Sequence, residues 1–133
     1  MRHIILLLLI IIPMGAIAQT PRPAYCEITT ISSGLFSSKS NVIIDLGSEH
    51  KGTIIDQNGK AMKFNSHIDI LNFMSRLGWK VCHTYSYSDT SSKQHVIRFL
   101  LEKTITDDSQ IQEGISIKKP EKYTPGKNGD DIY

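Results

Sequence analysis

The sequence predicts an α+β domain in which an antiparallel sheet of four or five strands carries one helix on one face. Several short segments are rich in β-branched residues and alternate apolar with polar side chains, as half-buried strands do. One segment near the middle of the chain instead places apolar residues at spacings of three and four, which is typical of a helix. A length of 133 residues suits one such domain.

The first eighteen residues have the pattern of a secretory signal. Arg2 precedes an unbroken run of Ile and Leu, Ile4–Ile12, and the small residues Ala16 and Ala18 follow at the two positions that a signal peptidase reads. We expect cleavage before Gln19, the alternative being an uncleaved anchor. The apolar run is shorter than the roughly 20 residues that span a bilayer, so we expect an exported protein, periplasmic or secreted, with no stable membrane insertion after cleavage.

The charge of the chain is close to neutral. It contains 15 Lys and Arg residues and 13 Asp and Glu residues, and loss of Arg2 with the signal leaves 14 against 13, a formal charge of +1. Nucleic-acid-binding domains usually cluster their Lys and Arg residues. We therefore expect no nucleic-acid partner.

Four strand segments are expected in the first half of the domain. Tyr25–Ile31 and Asn41–Gly47 alternate in polarity, with Val42, Ile44 and Leu46 sharing one face of the second. Thr53–Asp56 and Lys60–Phe64 flank Asn58-Gly59, a pair that tolerates the positive φ angles of a tight hairpin turn. These last two segments are predicted to form a short hairpin.

The helix follows this hairpin. Ser66 is a suitable N-cap, with Asp69 three residues later as a capping box, and Gly78 favours the left-handed conformation that ends a helix. Trp79 comes directly after it and is expected to cover the seam between helix and sheet, the alternative being a ring that stacks on a ligand. The apolar face of the helix consists of Ile68, Ile70, Leu71, Phe73, Met74 and Leu77.

A second hairpin is predicted from Trp79–Tyr87 and Gln94–Lys103. We expect a register that pairs Tyr85 with Ile97, His83 with Phe99 and Val81 with Leu101, all on the face of Trp79. A slip of one residue would move Arg98 and Glu102 to the buried face, where unpaired charges cost several kcal/mol.

The composition changes after Lys103. Residues 104–133 are polar and contain Pro and Gly breakers, so we expect a single domain over residues 24–103 and a flexible, disordered tail. The alternative is that Ile111, Ile115 and Ile117 add a helical turn or an edge strand.

Residues 66–103 resemble a known small fold. Leu71-Asn72, Leu77-Gly78-Trp79 and the following hairpin, which ends in Phe99-Leu100-Leu101-Glu102-Lys103, are similar to the Leu-Asn…Gly-Trp pattern of the DUF4177-like domains. Over residues 24–103 the chain also resembles small secreted proteins of anaerobic gut Gram-negative bacteria, in the segments Tyr25-Cys26-Glu27-Ile28, Asp56-Gln57-Asn58-Gly59-Lys60, Phe64-Asn65-Ser66 and Leu77-Gly78-Trp79. The resemblance implies a fold in which Leu71, Gly78, Trp79 and Phe99 are structural, and it carries over no catalytic or binding residue.

The sequence contains no recognisable catalytic or metal-binding pattern. His50, His67, His83 and His95 lack the close spacing of zinc ligands, and adjacent strand residues such as Cys82 and His83 point to opposite faces, so they form no thiol–base pair. No nucleophile elbow, phosphate loop or dinucleotide motif is present. We therefore expect that the protein is not an enzyme and that it binds no cofactor and no metal.

Cys26 and Cys82 are the only cysteines, and an exported protein could keep a disulfide. We expect them not to pair, because they are predicted on opposite faces of the sheet, although a twisted sheet edge could still bring them together.

The leading interpretation is an exported, small, non-catalytic module that binds a protein or ligand. Its candidate contact surface is the exposed sheet face with Tyr87 and Arg98, beside the loop of residues 88–93. The alternative is a minor periplasmic hydrolase or thiol-redox enzyme that uses His83 or Cys82; a concave pocket lined by either residue would favour it.

Overall fold

The computed structural model describes residues 19–33, 41–91 and 93–120 and shows an α+β fold built on one antiparallel sheet. The expected signal, residues 1–18, lies outside the described residues. A single helix, α1 (His67–Arg76), accompanies six strands in the order β4-β5-β1-β2-β3-β6. The strands are β1 (Arg22–Ser33), β2 (Asn41–Asp45), β3 (Lys51–Ile55), β4 (Lys80–Asp89), β5 (Gln94–Ile105) and β6 (Ser116–Lys118). The predicted fold class is confirmed, and the predicted number of strands is too low.

The two longest strands, β1 and β5, pair along twelve residues at the middle of the sheet. Ile28 lies opposite Phe99, and Thr29 lies opposite Arg98. Since opposite residues of an antiparallel pair share a face, Ile28 and Phe99 point to the helix side and Arg98 to the other side. We call these the helix face and the outer face.

The core lies between α1 and the helix face. Alternate residues of β1 and β2 are buried there, as their sequence patterns predict, and Ile70 and Met74 of the helix are fully buried against them. Leu71 is half-buried at the rim of this core, and Phe99 is 7% exposed. The buried apolar residues are Ala24, Cys26, Ile28, Val42, Ile44, Leu46, Ile54, Phe64, Ile70, Met74, Trp79, Phe99, Leu101, Ile105 and Ile115.

The helix begins where the sequence predicts. The Ser66 hydroxyl accepts a hydrogen bond from the Asp69 N–H at 3.2 Å, and the Asp69 carboxylate accepts one from the Asn65 N–H at 3.1 Å. These two bonds satisfy backbone donors at the helix start that have no partner within the helix.

The helix ends in a Schellman motif that leads straight into β4. Gly78 adopts a φ of 88°, and its backbone N–H donates to the Ser75 carbonyl at 3.0 Å. The backbone N–H of Trp79 donates to the Met74 carbonyl at 3.1 Å. A positive φ is easily adopted only by glycine. This turn carries the indole of Trp79 into the core, where it is 1% exposed.

Trp79 is therefore a structural residue, and its ring has no exposed face on which a ligand could stack. The Lys103 ammonium lies 5.9 Å from the centre of the ring and donates a hydrogen bond to the Gln110 carbonyl at 3.0 Å. The joint thus connects the helix, β5 and the segment that follows β5.

The predicted hairpin around Asn58-Gly59 forms only in part. Gly59 has a φ of 76°, but Asn58 does not have a positive φ, and the Asp56 side chain instead accepts hydrogen bonds from the Asn58 and Lys60 N–H groups. The loop is thus a three-residue connection with Gly59 in the left-handed region, a common alternative to the two-residue type I′ turn. The two arms are joined by backbone hydrogen bonds from the Asp56 N–H to the Lys60 carbonyl and from the Met62 N–H to the Ile54 carbonyl, each at 2.8 Å, and by the single bridge of Ile55 with Ala61, so the second arm forms no full strand.

The predicted register of the second hairpin is wrong beyond Val81. Val81 lies opposite Leu101 as expected, but a β-bulge at Cys82 leaves that residue without a cross-strand partner. His83 then lies opposite Leu100 and Tyr85 opposite Arg98. The bulge therefore moves these side chains from the expected helix face to the outer face.

The chain remains part of the fold beyond residue 103. β5 extends to Ile105, a 3₁₀ turn follows at Asp108–Ile111, and β6 pairs with β3. The expectation of a disordered tail starting at residue 104 is corrected for residues 104–118, because Ile105 and Ile115 are buried in the core. Ile111 lies in the helical turn and Ile117 in the edge strand, as the alternative prediction has it. Residues 121–133 lie outside the described residues.

We predict that Trp79→Ala destabilises the fold by about 3–5 kcal/mol, because it leaves a cavity at the joint between helix and sheet. The melting temperature should fall by more than about 10 °C for a domain of this size. Ile68→Ala is the matched control, since Ile68 lies on the same helix and is 62% exposed. A Trp79→Ala protein that melts within a few degrees of the wild type would contradict the structural role.

Candidate functional site

The outer face of β4, β5 and β1 exposes a group of aromatic and charged side chains. Tyr25, Tyr85 and Tyr87 are 52%, 42% and 49% exposed. Glu27 and Arg98 lie among them on β1 and β5. We call these five residues the tyrosine surface.

Glu27 is the centre of the hydrogen bonding on this surface. Its carboxylate accepts a hydrogen bond from the Tyr85 hydroxyl at 2.7 Å and one from the Arg98 guanidinium at 2.9 Å. The Thr29 hydroxyl donates to the same carboxylate at 3.4 Å. Strands β4, β5 and β1 each contribute, so the arrangement exists only when the sheet is formed.

Arg98 is held in one place on the surface. Its pKa is raised above the ordinary value, chiefly by a hydrogen bond with Tyr87 and further by the negative charge of Glu27. The side chain is about one third exposed. A guanidinium that is already oriented loses little freedom when a ligand binds to it.

Tyr85 is the second group whose ionisation the cluster changes. Its hydrogen bond to Glu27 raises the pKa of the phenol, and partial burial and the negative charge of Glu27 raise it further, while Arg98 opposes the shift. The neutral phenol is a hydrogen-bond donor, so the cluster stabilises the protonated form.

The structure brings together the two residues of the expected contact surface. Tyr87 lies opposite Val96 on the outer face, next to the pair formed by Tyr85 and Arg98. The sequence register would have placed Tyr87 on the opposite face from Arg98. The loop after β4, of which residue 92 is not described, begins at the end of the sheet nearest to Tyr87.

Glu27, Tyr25 and Tyr85 are the members of the surface that the sequence interpretation did not select. The signal for Glu27 was its position as the one acidic residue of β1, at a polar position of the strand. Its partners could not be identified without knowing that β1 pairs with β5.

The two residues named for an enzymatic alternative lie close to this surface. The His83 ring centre is 6.1 Å from that of Tyr85. The Cys82 thiol donates to the Leu100 carbonyl at 3.3 Å and lines an open depression of about 520 Å³ together with Lys80 and Glu102.

The two cysteines are unpaired: Cys26 is buried and Cys82 is exposed. β5 lies between their strands, so their backbones are about 10 Å apart, two strand spacings, whereas a disulfide needs Cα atoms within about 7 Å. Burial, with smaller contributions from Cys82 and Asp45, raises the pKa of the Cys26 thiol to about 12.

A serine–histidine pair also lies near the end of β4. The Ser88 hydroxyl is 2.8 Å from Nδ1 of His95, and both residues line a cavity of about 190 Å³ with His67. A catalytic serine–histidine pair needs a third group that orients the imidazole. Among the described residues, none is hydrogen-bonded to His95 in that role.

One further cavity is mainly apolar. An apolar cleft of about 500 Å³ lies beside β2 and β3, lined by Ile43, Met62 and Phe64 with Lys63 at its rim. Residues 19–33, 41–91 and 93–120 contain no group of three side chains that could hold a metal ion, and no helix among them is long and apolar enough to cross a membrane.

Comparison of the chain with protein-family models, with curated proteins and with solved structures returned no match.

We predict that Tyr85 ionises above the ordinary tyrosine pKa of about 10, because Glu27 binds the neutral phenol. The measurement is an ultraviolet pH titration in which the curve of Tyr85→Phe is subtracted from that of the wild type. When the same subtraction is made with both proteins carrying Glu27→Gln, the titration curve of Tyr85 should move to lower pH. Since the raised pKa favours the folded state only while the phenol is protonated, this contribution is present below pH 10 and lost as the pH rises through the pKa of Tyr85. A Tyr85 curve that Glu27→Gln leaves in place would contradict the assignment.

Proposed function

We propose that this chain is an exported, non-catalytic module that binds a protein or ligand through the tyrosine surface. The observation that carries the proposal is the set of three exposed tyrosines around the hydrogen-bonded Glu27–Arg98 pair. The surface lies on the face of the sheet opposite α1, so binding there would leave the core undisturbed.

The chemistry of the surface suits recognition. Tyrosine and arginine are enriched among the residues that dominate binding energy, since each combines a large contact area with hydrogen-bonding groups. Arg98 and Tyr85 are fixed by Glu27 before any partner arrives. A partner with a carboxylate or a planar polar group could accept hydrogen bonds from Arg98 while it packs on the tyrosine rings.

Two observations support the parts of the proposal that concern export and family relationship. The pattern of residues 1–18 supports export to the periplasm or the exterior. The Schellman motif at Gly78 and the buried Trp79 are compatible with a DUF4177-like core, and we propose that the chain is related to the small secreted proteins that have this pattern.

The enzymatic alternative rests on one observation. Cys82 is an exposed thiol in an open depression beside Lys80, where a small substrate could enter. A periplasmic hydrolase or thiol-redox enzyme using Cys82 or His83 would need a second reacting group there. The thiol of Cys26 is not within bonding reach, because β5 separates the two strands.

We predict that the chain beginning at Gln19, immobilised on a support, captures a partner from the envelope fraction of its source cell and that Tyr87→Ala weakens capture at least tenfold. Loss of a central interface tyrosine typically costs about 2 kcal/mol or more, and 1.4 kcal/mol corresponds to a factor of ten. Ile68→Ala removes an apolar side chain that is 62% exposed, on the helix at the other side of the sheet, and should bind as the wild type does.

Equal capture by Tyr87→Ala and the wild type would contradict binding at the tyrosine surface. If capture fails and a screen of small metabolites shows turnover that Cys82→Ser abolishes, the enzymatic alternative is correct.

We further predict that the mature protein begins at Gln19, because a signal peptidase reads Ala16 and Ala18. Amino-terminal sequencing of the protein recovered from its native cell measures this directly. A product that still begins at Met1 would contradict export by this route.

A further inference from the structure

The two edges of the sheet are built differently. At one edge, β6 has three residues and Lys118 ends it, with Lys119 next in the chain. At the other edge, β4 has ten residues, all of them exposed. Proteins commonly protect a free strand edge by shortness and by lysine, since the unpaired backbone groups of a long edge can bind another strand. β4 is long, and its one lysine, Lys80, lies before the bulge at Cys82.

The part of β4 that could accept a strand is His83–Asp89. The bulge at Cys82 interrupts the strand before it, whereas from His83 onward the pairing with β5 is regular. The residues from His83 to Ser88 include neither acidic side chains nor Lys or Arg. Tyrosine and threonine, which favour strands, account for three of them.

We infer that two copies of this chain pair antiparallel through His83–Asp89, about a two-fold axis at Ser86. In an antiparallel pair, opposite residues share a face of the sheet. The two-fold axis at Ser86 places Tyr85 opposite the partner's Tyr87, and by symmetry this aromatic pair occurs twice. Thr84 lies opposite the partner's Ser88, so hydroxyl groups meet on the other face. No position brings like charges together.

The pairing joins two six-stranded sheets into one sheet of twelve strands, with both outer faces on the same side. The two tyrosine surfaces become one continuous surface across the axis, because Tyr85 and Tyr87 lie at its centre. The inference does not depend on the nature of any partner that binds there. Seven residues of strand pairing bury little area, so the dimer should be weak and reversible.

Sedimentation equilibrium of the chain beginning at Gln19, over about 5 to 500 µM, tests the association, a range that covers weak interfaces. We expect the weight-average mass to rise toward twice the monomer mass. Thr84→Lys combined with Ser86→Lys places charges on the exposed edge and should leave the protein monomeric. Ser116→Lys introduces the same residue on the exposed β6 edge and should associate as the wild type does.

Disulfide cross-linking tests the register, in a Cys82→Ser background that removes the exposed native thiol. Ser86→Cys lies opposite itself, at the Cα separation of about 4.5–5.5 Å that a disulfide accepts, and should form a covalent dimer on oxidation. Thr84→Cys is the control, because its copies would be about 13 Å apart along the strands.

A wild-type protein that stays monomeric at the highest concentration would overturn the inference. A dimer in which Ser86→Cys cross-links no faster than Thr84→Cys would overturn it as well, because the contact would then lie elsewhere. Neither result bears on partner capture by the tyrosine surface.

Discussion

The hydrogen bond from the backbone N–H of Trp79 to the Met74 carbonyl closes α1, and the other parts of the fold depend on this junction. It turns the chain from helix to strand within three residues, and it places the indole between the helix and the sheet. Gly78 makes the turn possible by accepting a positive φ. Lys103 lies over the indole and donates a hydrogen bond to the Gln110 carbonyl of the 3₁₀ turn, so the end of β5 and the turn after it are connected to the junction between the helix and β4.

The opposite side of the sheet is organised by a charge rather than by an apolar ring. Glu27 is a partly buried carboxylate on the central strand, and such a group is stable only when hydrogen-bond donors surround it. Arg98 supplies a donor from the neighbouring strand β5, and Tyr85 supplies one from β4, the strand beyond it. The same bonds that satisfy the carboxylate fix an arginine and a tyrosine in exposed positions on this face.

The bulge at Cys82 determines which residues of β4 reach that face. One extra residue in the strand shifts the register, and because side chains alternate along a strand, every side chain from His83 onward changes face. Tyr85 and Tyr87 therefore accompany Arg98 instead of entering the core. The exchange leaves the helix face of β4 with the small hydroxyl residues Thr84, Ser86 and Ser88, all of them exposed.

The sequence by itself determined the fold class, the caps of α1 and the alternation of β1 and β2, because these follow from interactions between residues close in the chain. It also indicated the structural role of Trp79, since a glycine that ends a helix directly before a large ring leaves that ring at the junction. Only the tertiary structure decided the register of β4, the addition of β6 through Ile115 and Ile117, and the meeting of Glu27 with Tyr85 and Arg98. Each of these depends on pairing between distant strands, and local sequence carries no signal for a bulge or for the partner of a lone charge.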